Sequence, residues 1–260
     1  MHPTLRLVRA GNLGVSFIGT VVGGLVARGL GVSLPATLWL FLVLAGASTA
    51  LVTAGGNVLN DLLDLEGDRV NHPDRPLVTG EISLATARGL TAALFVGGGV
   101  VAIPVALAEP LLALILAAAI VLLLAYEFRF KAVGFLGNLV VAFLTGMVFL
   151  YGGAAAGNAV VLLPFAAMAF LATLSREVIK DMEDVAGDVA RSTFPKTYGM
   201  GAAAGLARAA VTGGVVLSFV PLAWFVTLAS GVGIIYVVLV GAADGVFAVS
   251  VGHLPNRLHY

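Results

Sequence analysis

The sequence predicts an all-α fold, a polytopic membrane bundle of about eight spans. Three observations carry that expectation. The chain is 60% hydrophobic and only 11% charged, far from the balance of a soluble domain. Runs of about twenty apolar residues, the length needed to cross a bilayer, recur from one end to the other. The 33 glycines, with abundant alanine, suit helices that approach closely in lipid through small residues. No hydrophilic segment is long enough to form a separate soluble domain, so residues 1–260 read as one transmembrane domain.

The elements follow in order. Arg6 and Arg9 precede the first apolar run, near 10–27, which no small-residue cleavage site closes and which reads as a retained span. Gly29 to Pro35 is a turn, followed by a span near 36–60. A polar stretch separates it from spans near 88–108 and 110–127, themselves divided at Glu109-Pro110. Spans near 133–153 and 158–178 are parted by Gly157-Asn158. The last two, near 205–227 and 231–251, are parted by Ser230-Gly231. Glycines at 23–24 and 97–99 read as packing surface, since no phosphate-loop pattern follows a strand-like segment.

Polar chemistry gathers where the second apolar run ends. Residues 57–75 read NVLNDLLDLEGDRVNHPDR. On a continuous helix, Asp61, Asp64 and Asp68 share one face, with Asn60, Asp64 and Asp68 at four-residue steps beside them. The same interval returns in REVIKDMEDVAGD, as Asp181, Asp184 and Asp188. A basic, proline-bearing loop follows each set: Pro73, Arg75 and Pro76, then Arg191, Pro195 and Lys196. One acidic stripe alone is usually a solvated helix end. Two at matched spacing, in a chain so poor in charge, point to a bound cation, and carboxylate oxygens suit a hard divalent one such as Mg2+.

Charge also predicts orientation. Of the 14 lysines and arginines, all but Arg28 fall on one side of this span map, which the positive-inside rule makes cytoplasmic. Of the 14 acids, only Glu109 and Asp244 lie elsewhere, Asp244 inside the last span. Such sidedness argues against a cation transporter, whose ionisable groups lie within spans. The lack of cysteine excludes disulfides and thiolate sites, and the four scattered histidines give no zinc or haem pair. No nucleic-acid partner is expected.

Two acidic clusters holding Mg2+, basic groups at Arg75, Lys131, Arg191 and Lys196, and an apolar chamber leading into the membrane suit a ligand with a diphosphate head and a hydrocarbon tail. The same residues resemble a known family. NDLLDLEGD followed by NHPDRPLVTGEIS is similar to the first signature of the UbiA-type intramembrane prenyltransferases: Asn60, Asp61, Asp64, Asp68, Arg75, Pro76 and Gly80. The family's second, Asp-rich signature matches Asp181, Asp184 and Asp188, and its intervening Tyr and Lys match Tyr126 and Lys131, with Gly137-Asn138 beyond. The resemblance runs from about residue 5 to 250 and implies a nine-helix ring around a chamber open to the bilayer, one helix more than the span count.

Within the superfamily, REVIKDMEDVAGD and TFPKTYG are most similar to the archaeal branch that builds ether lipids. Members of that branch move a geranylgeranyl group from its diphosphate onto the free hydroxyl of geranylgeranylglyceryl phosphate. The resemblance implies that Asn60, Asp61, Asp64, Asp68, Asp181, Asp184 and Asp188 bind Mg2+-diphosphate, with Asp64 and Asp184 catalytic and Asp61 least well aimed. It implies substrate contacts at Asn57, Arg75, Tyr126, Lys131, Asn138, Lys180 and Lys196, although Asn57 and Glu177 could equally be helix-packing groups. The expected partners are an isoprenyl diphosphate donor, a lipid-like acceptor bearing a phosphate, and the bilayer. Arg6, Arg9, Arg129 and Arg208 are candidate contacts for the acceptor phosphate, or charges that set topology. The competing reading within the family is an aromatic prenyltransferase acting on hydroxybenzoate or a naphthoate.

Overall fold

A computed structural model describes residues 2–29, 33–185, 193–228, 238, 240–246 and 249. Among the described residues regular structure is helical throughout, with no strand. The helices are α1 (Pro3–Leu7), α2 (Ala10–Arg28), α3 (Ala36–Leu63), α4 (Leu65–Asn71), α5 (Leu84–Ala108), α6 (Pro110–Phe128), α7 (Phe135–Ala155), α8 (Leu163–Glu183), α9 (Phe194–Tyr198) and α10 (Met200–Leu228). Seven of these are long and apolar enough to cross a membrane: α2, α3, α5, α6, α7, the segment Val160–Glu183, and Met200–Pro221 of α10. They match the first seven expected spans; most of the eighth, 231–251, lies outside the described residues.

Local chemistry sets the boundaries. Ser83 caps α5 by accepting from the Thr86 backbone N–H. Helix α5 ends at Ala108 because the next helix begins at Pro110, which biases Glu109 away from helical backbone. Pro104 stays inside α5 and Pro221 inside α10, as membrane helices allow.

The described chain forms two compact units. The first comprises Met1–Glu127 and Val148–Leu162. In it α3 packs against α2 and α5, around a core of Leu38, Leu42, Ala45, Ala102, Val105, Leu112 and Tyr151. A second cluster, Leu7, Val8, Ala54, Val58, Leu77 and Ala87, lies beside the first acidic motif. Close approach demands glycine here. A Cβ on Gly23 would stand 2.9 Å from the Phe149 carbonyl oxygen, and Gly152 meets the Thr20 backbone. Hydroxyls tie the same helices together: Thr20 to Thr49 at 2.9 Å, Thr53 to Ser16 at 3.0 Å, and Tyr151 to Ser48 at 3.1 Å.

The second unit comprises Phe128–Met147 and Leu163–Tyr260. Its core joins Ala142 of α7, Leu174, Val178 and Met182 of α8, and Ala203, Ala204 and Ala207 of α10. The last turn of α8, which carries the second acidic motif, rests on this core through Val178 and Met182. Large apolar side chains stand exposed along the long helices, among them Ile18, Val96, Leu107, Leu114, Val121 and Phe219, as bilayer-facing surfaces require. The protein is a multi-pass membrane protein.

Candidate functional site

In the first motif the helix does not run through. Helix α3 stops at Leu63, Asp64 sits at φ −91°, ψ 6°, and α4 starts at Leu65. The Asp64 backbone N–H still donates to the Asn60 carbonyl, at 2.9 Å. The single continuous face expected from the spacing is therefore broken at its middle member. Asn60 and Asp61 occupy the last turn of α3, and Asp68 stands on α4.

The break brings Asp61 and Asp68, both buried, onto one guanidinium. Arg75 Nη1 lies 3.1 Å from Asp61 Oδ1 and pairs also with Asp68 Oδ2. The loop that carries Arg75 is wound tightly: Arg75 N–H donates to the His72 carbonyl, and the Arg75 carbonyl accepts from Val78 and Thr79 N–H. Gly80, at φ +76°, turns the chain where an L-residue would be strained.

A second arginine arrives from the N-terminus. Arg9 Nη2 lies 2.6 Å from Asp61 Oδ1 and 3.2 Å from Asn60 Oδ1. Arg9 is the one described non-glycine residue at positive φ, 56°, a left-handed backbone that costs about 1–2 kcal/mol. Arg6, from the same segment, is engaged elsewhere, donating to Glu81 at 2.7 Å and to the Asp74 carbonyl at 3.1 Å. Asn57 Nδ2 donates to the Val8 carbonyl at 2.8 Å, which ties α3 to the N-terminal segment. Asn60 has one more partner, the buried Glu127 at the end of α6: its Nδ2 lies 3.1 and 3.2 Å from the two carboxylate oxygens.

The second motif repeats the backbone event. Helix α8 stops at Glu183, and the Asp184 N–H donates to the Lys180 carbonyl at 3.0 Å. Asp64 and Asp184 are thus each the first residue beyond a helix C-terminus. At Asp184 that end carries negative partial charge, so a carboxylate there is disfavoured by about 0.3–1 kcal/mol and a nearby cation is favoured; Asp64 stands at the same time at the start of α4, whose N-terminus favours a carboxylate. Asn138 Nδ2 donates to Asp181 Oδ2 at 2.7 Å, so Asn138 orients this motif. Lys180 approaches Glu177 at 3.9 Å, and Glu177 also pairs with Arg176 at 2.9 Å. Lys196 is exposed on α9, Tyr126 lies near the end of α6, and Lys131 lies in the short turn Phe130–Ala132. Asp188 and Arg191 fall outside the described residues.

Asn60, Asp64, Asp68, Asp181 and Asp184 offer amide and carboxylate oxygens, the donors a hard cation prefers. Among the described residues no three acids or histidines gather into a protein-only cage. Mg2+ shared with a diphosphate needs no such cage, since it takes one or two carboxylates and fills its shell with phosphate oxygens and water. The donor set fits that ion.

Two groups that meet the first motif have partners the sequence does not reveal. Arg9 reads in the sequence as a candidate contact for the acceptor phosphate or a topology-setting charge, and the structure sets it against Asp61 and Asn60. Glu127 reads as only one of the acids near the membrane face, though an ionisable residue closing a strongly apolar helix is a signal in itself.

Known proteins resemble this chain in sequence and in fold. The chain is 41% identical to digeranylgeranylglyceryl phosphate synthase of Methanoculleus marisnigri over 258 residues, covering 95% of this chain and 88% of that protein. A solved digeranylgeranylglyceryl phosphate synthase structure superposes with a TM-score of 0.75 at 29% identity, covering 97% of this chain and 86% of the other. A UbiA homologue from Archaeoglobus fulgidus, solved with DMAPP and Mg2+, shares the fold at a TM-score of 0.67 and 19% identity, over 95% of this chain and 85% of that one. The sequence profile of the UbiA prenyltransferase family matches residues 16–257, nearly the whole chain with both acidic motifs inside it: the protein belongs to the UbiA prenyltransferase family.

Proposed function

We propose that this chain transfers a geranylgeranyl group from geranylgeranyl diphosphate to the free hydroxyl of geranylgeranylglyceryl phosphate, forming the second ether bond of archaeal membrane lipids. The observation that carries the reading is the likeness to digeranylgeranylglyceryl phosphate synthase along nearly the full chain, 41% identical over 258 residues.

In this reading the bond from the allylic carbon to the diphosphate oxygen breaks with its electron pair leaving on diphosphate. The acceptor hydroxyl oxygen forms the new carbon–oxygen bond and gives up its proton. Bound Mg2+ supplies charge neutralisation to the departing diphosphate. Asn60, Asp64 and Asp68 of the first motif, with Asp181, Asp184 and Asp188 of the second, would hold it. Asp64 and Asp184, at their helix ends, are the pair on which transfer depends most. Asp61 enters as the anion that fixes Arg9 and Arg75, whose guanidiniums then have N–H groups to offer phosphate oxygens. Asn138 keeps Asp181 aimed, and Asn57 anchors the N-terminal segment that delivers Arg9. Tyr126, Lys131, Lys180 and Lys196 are the remaining candidate contacts for the two phosphate-bearing substrates, whose tails suit the long apolar helices. The motif ends of these helices would face the cytoplasm, as the one-sided basic residues favour.

The test is a competition. Purified protein would receive labelled geranylgeranyl diphosphate with geranylgeranylglyceryl phosphate, the same acceptor without its phosphate, and hydroxybenzoate, and products would be separated by mass. The phosphate-bearing ether acceptor should be prenylated fastest. Preferential prenylation of hydroxybenzoate would replace this reading with the aromatic one.

A further inference from the structure

Asn60 is the only motif member described here whose side chain has chemically different ends, and only its Oδ1 can serve a cation. Which end is presented is fixed by its neighbours. Nδ2 faces both oxygens of Glu127, at 3.1 and 3.2 Å, while Oδ1 faces Arg9 Nη2 at 3.2 Å. Turning the amide over would set its oxygen against two carboxylate oxygens and its NH2 against a guanidinium, losing every contact at once. Glu127 is buried and comes from α6, 67 residues along the chain, so nothing local to the motif requires it.

We propose that Glu127 is a positioning residue for the first metal motif: by holding Asn60 Nδ2 against its two carboxylate oxygens it locks which way round the amide sits, keeping Oδ1 as the end available to a cation. This rests on the proposed role of Asn60 as a ligand. The chemistry is that of an outer-shell acceptor that orients a ligand without touching the ion. A buried carboxylate that meets the amide nitrogen with both oxygens resists rotation more firmly than a single neutral acceptor would. Its charge also adds to the negative potential of the site, and the test separates these two effects.

The experiment uses the full chain in lipid nanodiscs, with Mn2+ as the spectroscopic stand-in for Mg2+ and an unreactive thiolo analogue of geranylgeranyl diphosphate present. Bound Mn2+ is read by electron paramagnetic resonance. Asn60→Ala should weaken Mn2+ binding, which tests the ligand role alone; unchanged binding would remove the basis of the proposal and count against Asn60 in the metal reading. Given that weakening, Glu127→Met should also weaken binding, by about 10-fold or more, as outer-shell losses do. Glu127→Gln, whose carbonyl can still accept from Asn60, should stay within a few-fold of the parent. The double variant Asn60→Ala with Glu127→Met should bind no more weakly than Asn60→Ala. Unchanged binding in Glu127→Met, or additive losses in the double variant, overturns the proposal. Equal losses in Glu127→Gln and Glu127→Met assign the effect to charge and overturn it as well.

An exchanged pair guards against misfolding. Asn60→Asp alone sets two carboxylates together and should impair Mn2+ binding. Adding Glu127→Gln restores the hydrogen bonds with donor and acceptor reversed, and should recover binding to within a few-fold. Failure of the exchanged pair to recover, with helical content intact, also refutes the locking role.

Discussion

Arg9 reaches Asp61 from a backbone that arginine does not favour: φ is 56° at Arg9, and its Nη2 stands 2.6 Å from Asp61 Oδ1. Asp61 is 3% exposed against 35% for Arg9. The partly exposed cation therefore serves the buried anion, and the strained backbone lets the N-terminal segment turn into α2 while the side chain points at the motif.

Two substitutions at position 9 separate strain from pairing. Arg9→Ala removes the charge-assisted hydrogen bond and keeps the left-handed strain; Arg9→Gly removes both. Both should lower stability, since hydrogen bonds to charged groups contribute about 1.5–3 kcal/mol. The glycine variant should melt above the alanine variant, because the strain of about 1–2 kcal/mol is relieved. Thermal unfolding in detergent decides it, and alanine melting at or above glycine would refute the strain argument.

Asp64→Ala and Asp184→Ala should each lower the turnover rate by about 100-fold or more, the usual loss when one element of transition-state charge stabilisation is removed. Asp74→Ala should change it little. Its side chain is exposed, and the contact it makes with Arg6 uses the backbone carbonyl, which alanine keeps. Steady-state rates of the three variants check this, and equal loss at Asp74 and Asp64 would show that the motif spacing selects the wrong residues.

Removing divalent ions should abolish transfer while leaving far-ultraviolet circular dichroism unchanged, because the helices are held by apolar cores that need no ion. Re-adding Mg2+ should restore the rate. Transfer continuing at its original rate in excess chelator would defeat the metal reading.

Packing gives a fourth expectation. Gly23→Ala pushes a methyl to 2.9 Å from the Phe149 carbonyl, whereas a Cβ on Gly99 meets nothing within 4 Å. Gly23→Ala should lower the melting temperature of the detergent-solubilised protein, and Gly99→Ala should leave it unchanged or slightly higher. A melting temperature unaffected by Gly23→Ala would mean that α2 and α7 part without loss.

How much was legible follows from how far each signal reaches along the chain. The spans and both acidic motifs are local patterns, and Asn60, Asp61, Asp64 and Asp68 can be picked out from spacing alone. The helix break at Asp64 cannot, because no proline or glycine interrupts residues 57–66 and the spacing is consistent with an unbroken helix. The partners of the motif were hidden by distance: Arg9 lies 52 residues from Asp61 and Glu127 lies 67 from Asn60. In a sequence such residues look like interchangeable charges at a membrane face. Asn57 fits either a site role or a packing role by sequence, and its bond to the Val8 carbonyl is a packing contact. Asp244, an isolated acid in the expected eighth span, accepts from Ser218 Oγ at 2.8 Å.

The placement of Asp184 just beyond a helix C-terminus sets selection for robustness against selection for turnover. That position would be thermodynamically better filled by a neutral or basic side chain, by about 0.3–1 kcal/mol, whereas Asp64, beyond α3 but also at the start of α4, has the N-terminus of α4 in compensation. A laboratory screen that rewards heat tolerance alone should therefore enrich Asn or Lys at 184 and spare 64. On the proposed function the hardiest molecules recovered would transfer poorly, and any effort to toughen this protein must hold position 184 fixed.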